Sequence, residues 1–487
     1  MIGSKLSICG STKKTSKGII YEQLLKSFFI LEKNDFFDSF CKEFQLIQSI
    51  KKAKQIMSEN LMVNQLSTNQ LLEFLENENV KIIDARSVNA YNGWKLQSEK
   101  RGGHIKGAKS LPVKWTQYID WIEIVRSKKI FPEHKIVVYG YSEIEIDSLV
   151  KMFVRAGYFD ISSYSNFVEE WASDENLPME KLERYRQLIS PDWLKKLISG
   201  EKPQEYSNNK FVVCHSHYRN TDDYIMDHIP GSIALDTNDL ESPETWNRRS
   251  PEELKATLEK HGITADTTVI LYGRFSFPKN DDPFPGSSAG HLGAIRCAFI
   301  MMYAGVKDVR VLNGGMQSWK DAGFEVSSEV TLPEPVDNFG AMIPAKPELA
   351  VDVQEAKEII NSDKAELVSV RSWPEWIGEV SGYNYIKKKG RIPGAVFGNC
   401  GTDAYHMENY RNVDHTIKEA GEVAKTWAEV GITPNKHLAF YCGTGWRGSE
   451  AFFNAWLMGW PRVSVFDGGW FEWSNDPKNK YETGNPK

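Results

Sequence analysis

Short apolar runs alternate with longer amphipathic stretches along most of the chain, and the same succession occurs three times between residues 61 and 487. Such runs predict buried β-strands, and the stretches between them predict helices. The first strand of each unit is predicted at Lys81–Arg86, Phe211–Ser216 and Glu366–Arg371, and the third at Lys135–Tyr139, Thr268–Tyr272 and His437–Tyr441. Strands that alternate with helices indicate βαβ crossovers, so each unit is predicted to be an α/β domain with a parallel sheet covered by helices on both faces.

Each unit also opens and closes with a helix. The opening helices are predicted at Thr68–Leu75, Pro191–Ile198 and Val351–Ile360. The closing helices carry Trp171, Trp319 and Trp473, which we expect to cover the core of their own unit. An internal repeat of this kind predicts three tandem domains of one fold.

Polar and proline-containing stretches separate the units. We predict domains at 61–185, 186–335 and 345–487, preceded by an N-terminal helical extension at 1–60. The extension lacks the uninterrupted apolar core and the cleavage site of a signal peptide. The protein is therefore predicted to be cytoplasmic, and a divergent signal segment, which would place it in the periplasm, is the alternative.

The composition argues against several classes of protein. Hydrophobic residues make up 41% and charged residues 25% of the chain, as in globular proteins, and no apolar stretch approaches the roughly 18 residues of a membrane span. A net charge of −6 argues against general nucleic-acid binding, which depends on Lys and Arg. Six Cys residues without a C-x-x-C pair favour reduced thiols over a disulfide framework or a zinc ribbon. We predict no metal, no cofactor, and no membrane or nucleic-acid partner.

The loop after the third strand is where chemistry is expected, because ligands of parallel α/β folds bind at the carboxyl ends of the strands. The residue after the shared Tyr is Gly140 in the first unit, Gly273 in the second and Cys442 in the third. Only the third loop carries a nucleophile. The first two domains are therefore predicted to be non-catalytic.

The residues around Cys442 have the pattern of an anion-binding loop. Glycines allow backbone N–H groups to converge on one point, and a helix predicted at Ser449–Met458 would add the partial positive charge of its N-terminus. These features favour a thiolate at Cys442. The predicted persulfide- and anion-binding loop consists of Gly443, Thr444, Gly445, Trp446 and Arg447.

A thiolate in such a loop suits either transfer of sulfane sulfur or phosphate and arsenate ester chemistry. Loops of the Cys-x5-Arg type bind phosphate, whereas here Arg447 follows Cys442 after only four intervening residues. The smaller ring favours a single sulfur atom. A cysteine phosphatase or arsenate reductase is the weaker alternative, and a purely structural Cys before a Gly-rich turn is the third interpretation.

The repeated unit resembles the rhodanese domain. The resemblance rests on Asp84-Ala-Arg86, His228-Ile-Pro-Gly231, Cys442-Gly-Thr-Gly-Trp-Arg447 and Phe466-Asp-Gly-Gly-Trp470 and covers about residues 60–487. Three such units with Cys only in the last are similar to bacterial thiosulfate sulfurtransferases built from three rhodanese domains. The segments Ser381–Ala395 and Asp403–Glu408 add to that likeness.

The resemblance implies a sulfurtransferase that works by double displacement. The Cys442 thiolate would take sulfur from a small anionic donor such as thiosulfate, and the persulfide would pass it to cyanide or a protein thiol. Members that use thiosulfate usually carry a basic residue directly after Cys, whereas Gly443 is more typical of members that use 3-mercaptopyruvate. The donor is therefore left open between these two, with a cysteine desulfurase as a third source.

Further residues and partners follow from the same resemblance. Arg447 would orient an anionic donor and hold the loop, and the candidate substrate-binding residues are Arg371, Glu375 and Arg391, the last beside the basic cluster Lys387–Lys389. The alternative function is a persulfide relay that a cysteine desulfurase loads and that docks onto a sulfur-acceptor protein, for example in the molybdenum cofactor pathway.

Two other cysteines have side-chain types that suit chemistry. Cys400 is either a relay thiol near the site or a small buried residue. Cys214, in Cys214-His-Ser-His217, has metal-ligand neighbours, but it falls on the strand position of Asp84 and Ser369, which favours a structural role.

Intact-mass spectrometry tests the assignment of the nucleophile. Incubation with a sulfane-sulfur donor is expected to add about 32 Da, one sulfur atom, to the wild-type chain and nothing to Cys442→Ala. An adduct that survives this substitution would move the chemistry to another residue.

Overall fold

The computed structural model of the protein describes residues 63–275 and 290–486, so the predicted extension at 1–60 lies outside the described residues. Residues 63–152 and 160–487 form one compact unit, which contains all the sheets described below. The segment Phe153–Phe159 falls outside that unit. None of the described helices is both long and apolar enough to span a bilayer.

The first domain contains seven strands and four helices among the described residues. The strands are β1 Asn64–Gln65, β2 Val80–Asp84, β3 His104–Ile105, β4 Lys109–Ser110, β5 Lys135–Tyr139, β6 Ile161–Tyr164 and β7 Met179–Glu180, and the helices are α1 Thr68–Phe74, α2 Val88–Asn92, α3 Trp121–Ser127 and α4 Glu143–Arg155. A π-helical turn at Phe167–Trp171 takes the place of a closing helix. Strands β3 and β7 form a separate antiparallel pair.

The second and third domains repeat this plan. The second has β8 Leu188–Ile189, β9 Phe211–His217, β10 Ile233–Asp236, β11 Thr268–Tyr272 and β12 Asp308–Leu312, with α5 Pro191–Ile198, α6 Asp222–Met226, α7 Pro251–Lys260, α8 Gly290–Ala304 and α9 Gly315–Asp321. The third has β13 Ala350–Val351, β14 Ala365–Ser369, β15 Val396–Phe397, β16 His437–Tyr441 and β17 Val463–Phe466, with α10 Val353–Ile359, α11 Trp373–Trp376, α12 Ala420–Ala428, α13 Trp446–Leu457 and α14 Gly469–Asn475.

The three main sheets share one topology. Their orders are β1-β6-β5-β2-β4, β8-β12-β11-β9-β10 and β13-β17-β16-β14-β15, and each pairing in them is parallel. The predicted third strand of each domain, β5, β11 or β16, therefore occupies the central position of its sheet, and the loop that follows it starts at the same place in all three domains. The predicted fold class, three α/β domains with parallel sheets, is confirmed.

Local sequence signals explain where the opening helices begin. Ser67 and Asp352 form capping boxes with Gln70 and Glu355, and Ser190 caps α5, whose first residue is a proline. These caps satisfy N–H groups that a helix leaves without partners at its start. The closing tryptophans Trp171, Trp319 and Trp473 are buried, as the repeat predicts.

Helix α8 joins the cores of the second and third domains. All fifteen of its residues are buried, and its side chains belong to a hydrophobic cluster that also contains residues of α13. The rings of Phe299 in α8 and Phe452 in α13 pack edge to face, with centroids 5.4 Å apart. Apart from His291 and Arg296 the helix is apolar, and such a helix is stable only when protein surrounds it, so the second domain forms part of the support of the third.

The loops of the first and second domains, which have Gly140 and Gly273 in place of Cys442, differ in the space available for a side chain at that position. At Gly273 an added Cβ would lie 2.0 Å from the carbonyl oxygen of Gly290, so no side chain fits. At Gly140 the nearest atom to an added Cβ is a carboxylate oxygen of Glu145 at 3.0 Å. That carboxylate accepts a hydrogen bond from the backbone N–H of Tyr141 at 2.8 Å. The protein's own carboxylate therefore occupies the loop of the first domain.

The two glycines make a matched pair of variants. Gly273→Ala is expected to lower the free energy of unfolding by about 1–3 kcal/mol, because its methyl group overlaps rigid backbone. Gly140→Ala is expected to cost less than about 1 kcal/mol, because a flexible side chain can move aside. Chemical denaturation measures both, and equal losses would contradict the difference in space.

Candidate active site

Cys442 directly follows β16, at the carboxyl edge of the third sheet. The loop after it is shorter than the sequence suggested, because α13 begins at Trp446 and not at the predicted Ser449. The helix starts early because Gly445 adopts a left-handed conformation, with φ of +93°, and turns the chain directly into it. Arg447 therefore lies in the first helical turn, where N–H groups lack intrahelical carbonyl partners and the helix end is partially positive.

The start of α14 holds the loop from outside. The backbone N–H groups of Trp470 and Phe471 donate to the carbonyl oxygens of Cys442 and Gly443, both at 2.9 Å. Gly469 makes this approach feasible, since its φ is +53° and an added Cβ would lie 2.8 Å from the Cys442 oxygen. The Asp-Gly-Gly segment is thus a positioning device for the cysteine.

The ring of Tyr383 covers the loop. Cys442 is fully buried, and an added Cβ on Gly443 would lie 2.3 Å from a ring carbon of Tyr383. Tyr383 donates a hydrogen bond to the Ala404 carbonyl oxygen at 3.1 Å. Burial holds the pKa of the Tyr383 hydroxyl well above its usual range, although the Arg447 guanidinium opposes this. The Tyr383 side chain beside the cysteine loop therefore carries a neutral hydroxyl.

An aromatic stack continues outward from Tyr383. Tyr385 stacks on Tyr383 with ring centroids 5.2 Å apart, and Trp246 of the second domain stacks on Tyr385 at 4.4 Å. Phe471 packs edge to face on Trp246 at 5.3 Å. Tyr385 remains 39% exposed, so the stack runs from the buried thiol to the surface.

Arg447 pairs with the protein's own carboxylate. Its Nη1 and Nη2 donate to the two carboxylate oxygens of Glu375, each at 2.9 Å. Arg371 also donates to Glu375, at 3.1 Å, and to the Gly390 carbonyl oxygen. Burial opposes ionisation of Glu375, but the two guanidinium groups outweigh it and lower its pKa to about 2. Arg371, Glu375 and Arg447 form one buried charge network.

The structure places Arg391 apart from that network. Its guanidinium lies 3.1 Å from the Glu482 carboxylate and donates to the Gly484 carbonyl oxygen at 2.6 Å. Nearby, Lys387 and Lys389 are exposed. Of the candidate substrate-binding residues, two therefore lie with Arg447, and Arg391 faces the C-terminal segment.

Cys400 lies beside the charge network. Its sulfur is 3.1 Å from Arg447 Nη1 and the side chain is fully buried. Burial raises the pKa of the Cys400 thiol to about 12, with Arg447 opposing the shift. A protonated thiol is a weak nucleophile, so this environment favours the interpretation as a small buried residue.

The second domain contributes residues that the sequence did not indicate. Arg296 in α8 donates to Glu241 at 2.8 Å and its Nη1 lies 2.6 Å from Asp467, next to the Gly-Gly turn. Glu241 also accepts a hydrogen bond from the Trp446 indole at 2.8 Å. Contacts between repeats have no sequence signature. Tyr383 and Tyr385 could have been proposed as site residues from the sequence, because they lie in the segment Ser381–Ala395 that contributes to the family resemblance.

The metal-like residues around Cys214 do not assemble a centre. Within 63–275 and 290–486, His, Cys, Asp and Glu side chains form no group of three or more suited to a metal ion. Burial raises the pKa of Cys214 to about 12 and lowers that of His215 to about 3, so both are neutral core residues.

Comparison with known proteins defines the class. A model described as the Rhodanese-like domain matches residues 67–174, 190–322 and 352–476. The chain therefore belongs to the rhodanese family of sulfurtransferases.

Two relatives show how the family varies. The chain is 40% identical to the thiosulfate sulfurtransferase YnjE of Escherichia coli over 85% of its own length and 91% of the relative. It is 30% identical to the sulfur carrier protein TtuD of Thermus thermophilus over 59% of its own length and 93% of the relative.

Solved structures of the protein EanB are more similar in sequence. They are 61% identical and match with a TM-score of 0.86 over 88% of this chain and 99% of EanB. They include complexes with hercynine and with ergothioneine, and a persulfide on an EanB cysteine.

The EanB residues substituted in these structures have counterparts here. A tyrosine and a cysteine precede the EanB persulfide cysteine by the same number of positions as Tyr383 and Cys400 precede Cys442, and a threonine follows it as Thr444 does. A further EanB cysteine corresponds by the same spacing to Ser369.

The buried network predicts a pH-dependent loss of stability. Glu375→Gln is expected to lower the free energy of unfolding at neutral pH by about 3–5 kcal/mol, because two buried guanidinium groups lose their counter-charge. Since the pKa of Glu375 falls from 4.5 to about 2 on folding, the wild type loses this stabilisation as the pH drops from 4.5 towards 2.

Denaturation midpoints of wild type and Glu375→Gln between pH 7 and pH 3 measure this effect. The difference between the two midpoints should become smaller as the pH is lowered. Glu379→Gln, at an exposed position of the same segment, is the matched control and should remain near the wild type. A gap that stays constant over this range would contradict the assignment.

Proposed function

We propose that the protein transfers sulfur from a Cys442 persulfide to the imidazole ring of hercynine and so forms ergothioneine. The observation that carries this proposal is the set Tyr383, Cys400 and Thr444 around Cys442, which agrees in residue type and spacing with the positions studied in EanB. The aromatic rings beside the loop support it further. Trp246 and Tyr385 provide faces that attract a trimethylammonium group, the distinctive group of hercynine.

The first half-reaction loads the cysteine. The Cys442 thiolate attacks the outer sulfur of a donor, the bond between that sulfur and the rest of the donor breaks, and the leaving group departs with the electron pair. The persulfide is stabilised by the N–H groups of the loop and of the first turn of α13. Thiosulfate and a desulfurase persulfide carry sulfane sulfur, and 3-mercaptopyruvate delivers sulfur at the same level when its C–S bond breaks and pyruvate leaves as the enolate.

The donor is recognised mainly by backbone groups in this proposal. Arg371 and Arg447 are paired with Glu375, and Arg391 is paired with Glu482. A donor anion would have to compete with these carboxylates for the guanidinium groups. Arg447 then holds the loop, and donor charge is met by the helix end and the loop amides.

The second half-reaction moves sulfur to carbon. The terminal persulfide sulfur adds to C2 of the imidazole while the Tyr383 hydroxyl gives its proton to a ring nitrogen. C2 then loses its proton to the Tyr383 oxygen, its electron pair forms the carbon–sulfur double bond, and the S–S bond breaks to return the Cys442 thiolate. Atoms and electrons balance without a further oxidant, because the transferred sulfur is already at the sulfane level. A structure of an EanB tyrosine variant shows a persulfide in a tetrahedral intermediate state with ergothioneine, which supports addition of the persulfide before the S–S bond breaks.

A persulfide relay is the second candidate, and the similarity to a sulfur carrier protein favours it. In that case a cysteine desulfurase loads Cys442 and a protein thiol receives the sulfur. Loading by the desulfurase alone, and transfer to one protein acceptor alone, would distinguish the relay from an enzyme that acts on small molecules.

Product analysis tests the proposal. Wild-type protein supplied with a sulfane donor and hercynine is expected to form ergothioneine, and Cys442→Ser is expected to form none. Tyr383→Phe should load persulfide normally but form product about 100-fold more slowly, since it lacks the proton donor. Tyr118→Phe, in the first domain, is the matched control. Steady thiocyanate formation from cyanide without any ergothioneine would contradict hercynine as the acceptor.

A further inference from the structure

Arg296 is a fully buried cation that belongs to the second domain but lies against the catalytic loop of the third. Its three guanidinium nitrogens have separate partners. Nε donates to Glu241 at 2.8 Å, Nη1 lies 2.6 Å from Asp467, and Nη2 donates to the Trp246 carbonyl oxygen at 2.7 Å. One side chain thus connects α8, the aromatic stack and the turn before α14.

The guanidinium also lies close to the loop backbone. A Cβ added to Gly445 would be 3.0 Å from Arg296 Nη1 and 3.0 Å from the Asp467 carbonyl oxygen. The next residue, Trp446, donates its indole N–H to Glu241, the carboxylate that Arg296 also contacts. The loop is therefore held at Gly445 and Trp446 by a single buried cluster.

The cluster pairs two guanidinium groups, those of Arg296 and Arg248, with the two carboxylates of Asp467 and Glu241. Asp467 is shared by Arg296 and Arg248, the latter at 2.9 Å. Burial raises the pKa of Glu241 to about 7, although Arg296 opposes that shift. Glu241 accepts hydrogen bonds from both Arg296 and Trp446, so the cluster connects the loop to α8 through Glu241 as well as through Asp467.

We propose that Arg296 is a positioning residue for sulfur loading, through which the second domain fixes the persulfide loop of the third. The proposal rests on the proposed role of Cys442 as the sulfur carrier, but not on the identity of the acceptor. It gives the second domain, which has no nucleophile of its own, a defined part in the reaction.

The test separates loading from stability. Arg296→Met alone leaves buried carboxylates unpaired and is strongly destabilising, so the principal variant is Arg296→Met with Glu241→Gln, in which Arg248 still pairs with Asp467. Arg296→Lys retains the charge without the three-way contact. Arg310→Met is the matched control, because Arg310 is also a nearly buried arginine of the second domain but pairs with Asp308, away from the loop.

Intact mass measures the rate of sulfur addition to folded protein, and thermal unfolding measures stability. The double variant is expected to load at least about 10-fold more slowly than wild type, Arg296→Lys to load at an intermediate rate, and Arg310→Met to lose stability while it loads at the wild-type rate. If the double variant does not fold, the loading rate of Arg296→Lys relative to wild type is the deciding measurement: a slower rate supports the proposal and an equal rate contradicts it. Wild-type loading rates in the folded Arg296 variants would overturn the proposal, whereas a wild type that does not load at all would instead overturn the role of Cys442.

Discussion

The buried ion pair between Arg447 and Glu375 is the contact on which the arrangement of the third domain depends. It joins the first turn of α13 to α11 by two hydrogen bonds of 2.9 Å, and Arg371 donates to the same carboxylate at 3.1 Å. Buried charges are tolerated only when their partners are well placed. The position of Cys442 at the start of this loop, and of Cys400 beside the guanidinium, follows from that pairing.

The three repeats have one fold but unequal roles. The first domain fills its loop with the carboxylate of Glu145, and the second has no room for a side chain at Gly273. The second domain nevertheless contributes Trp246 to the aromatic stack and Arg296 to the loop contacts. The repeat that has no nucleophile at this position therefore packs against, and helps to hold, the loop of the repeat that has one.

The fold was largely predictable from the sequence. Apolar runs bounded by turns located the third strands of the units, Lys135–Tyr139, Thr268–Tyr272 and His437–Tyr441, at the residues where the structure has them. Local patterns were sufficient because strand formation in a buried parallel sheet depends on local hydrophobicity. The start of α13 was misplaced, because a left-handed Gly445 cannot be distinguished from a loop glycine by sequence alone.

The site was less predictable than the fold. Cys442 and its loop follow from glycine spacing, but the pairing of Arg447 with Glu375 depends on which charges the fold buries together. Trp246 and Arg296 lie roughly 150 to 200 positions before the cysteine, and nothing local in their segments marks them as neighbours of it. Contacts between domains depend on packing, which local periodicity does not encode.

Helix α8, which is fully buried and apolar apart from His291 and Arg296, has a consequence for the independence of the third repeat. A gene fragment encoding only the third repeat would produce a protein whose α13 lacks its hydrophobic neighbour, with the flank that normally meets α8 open to water. A third repeat separated from the second would therefore expose an aggregation-prone flank, whatever chemistry its cysteine performs.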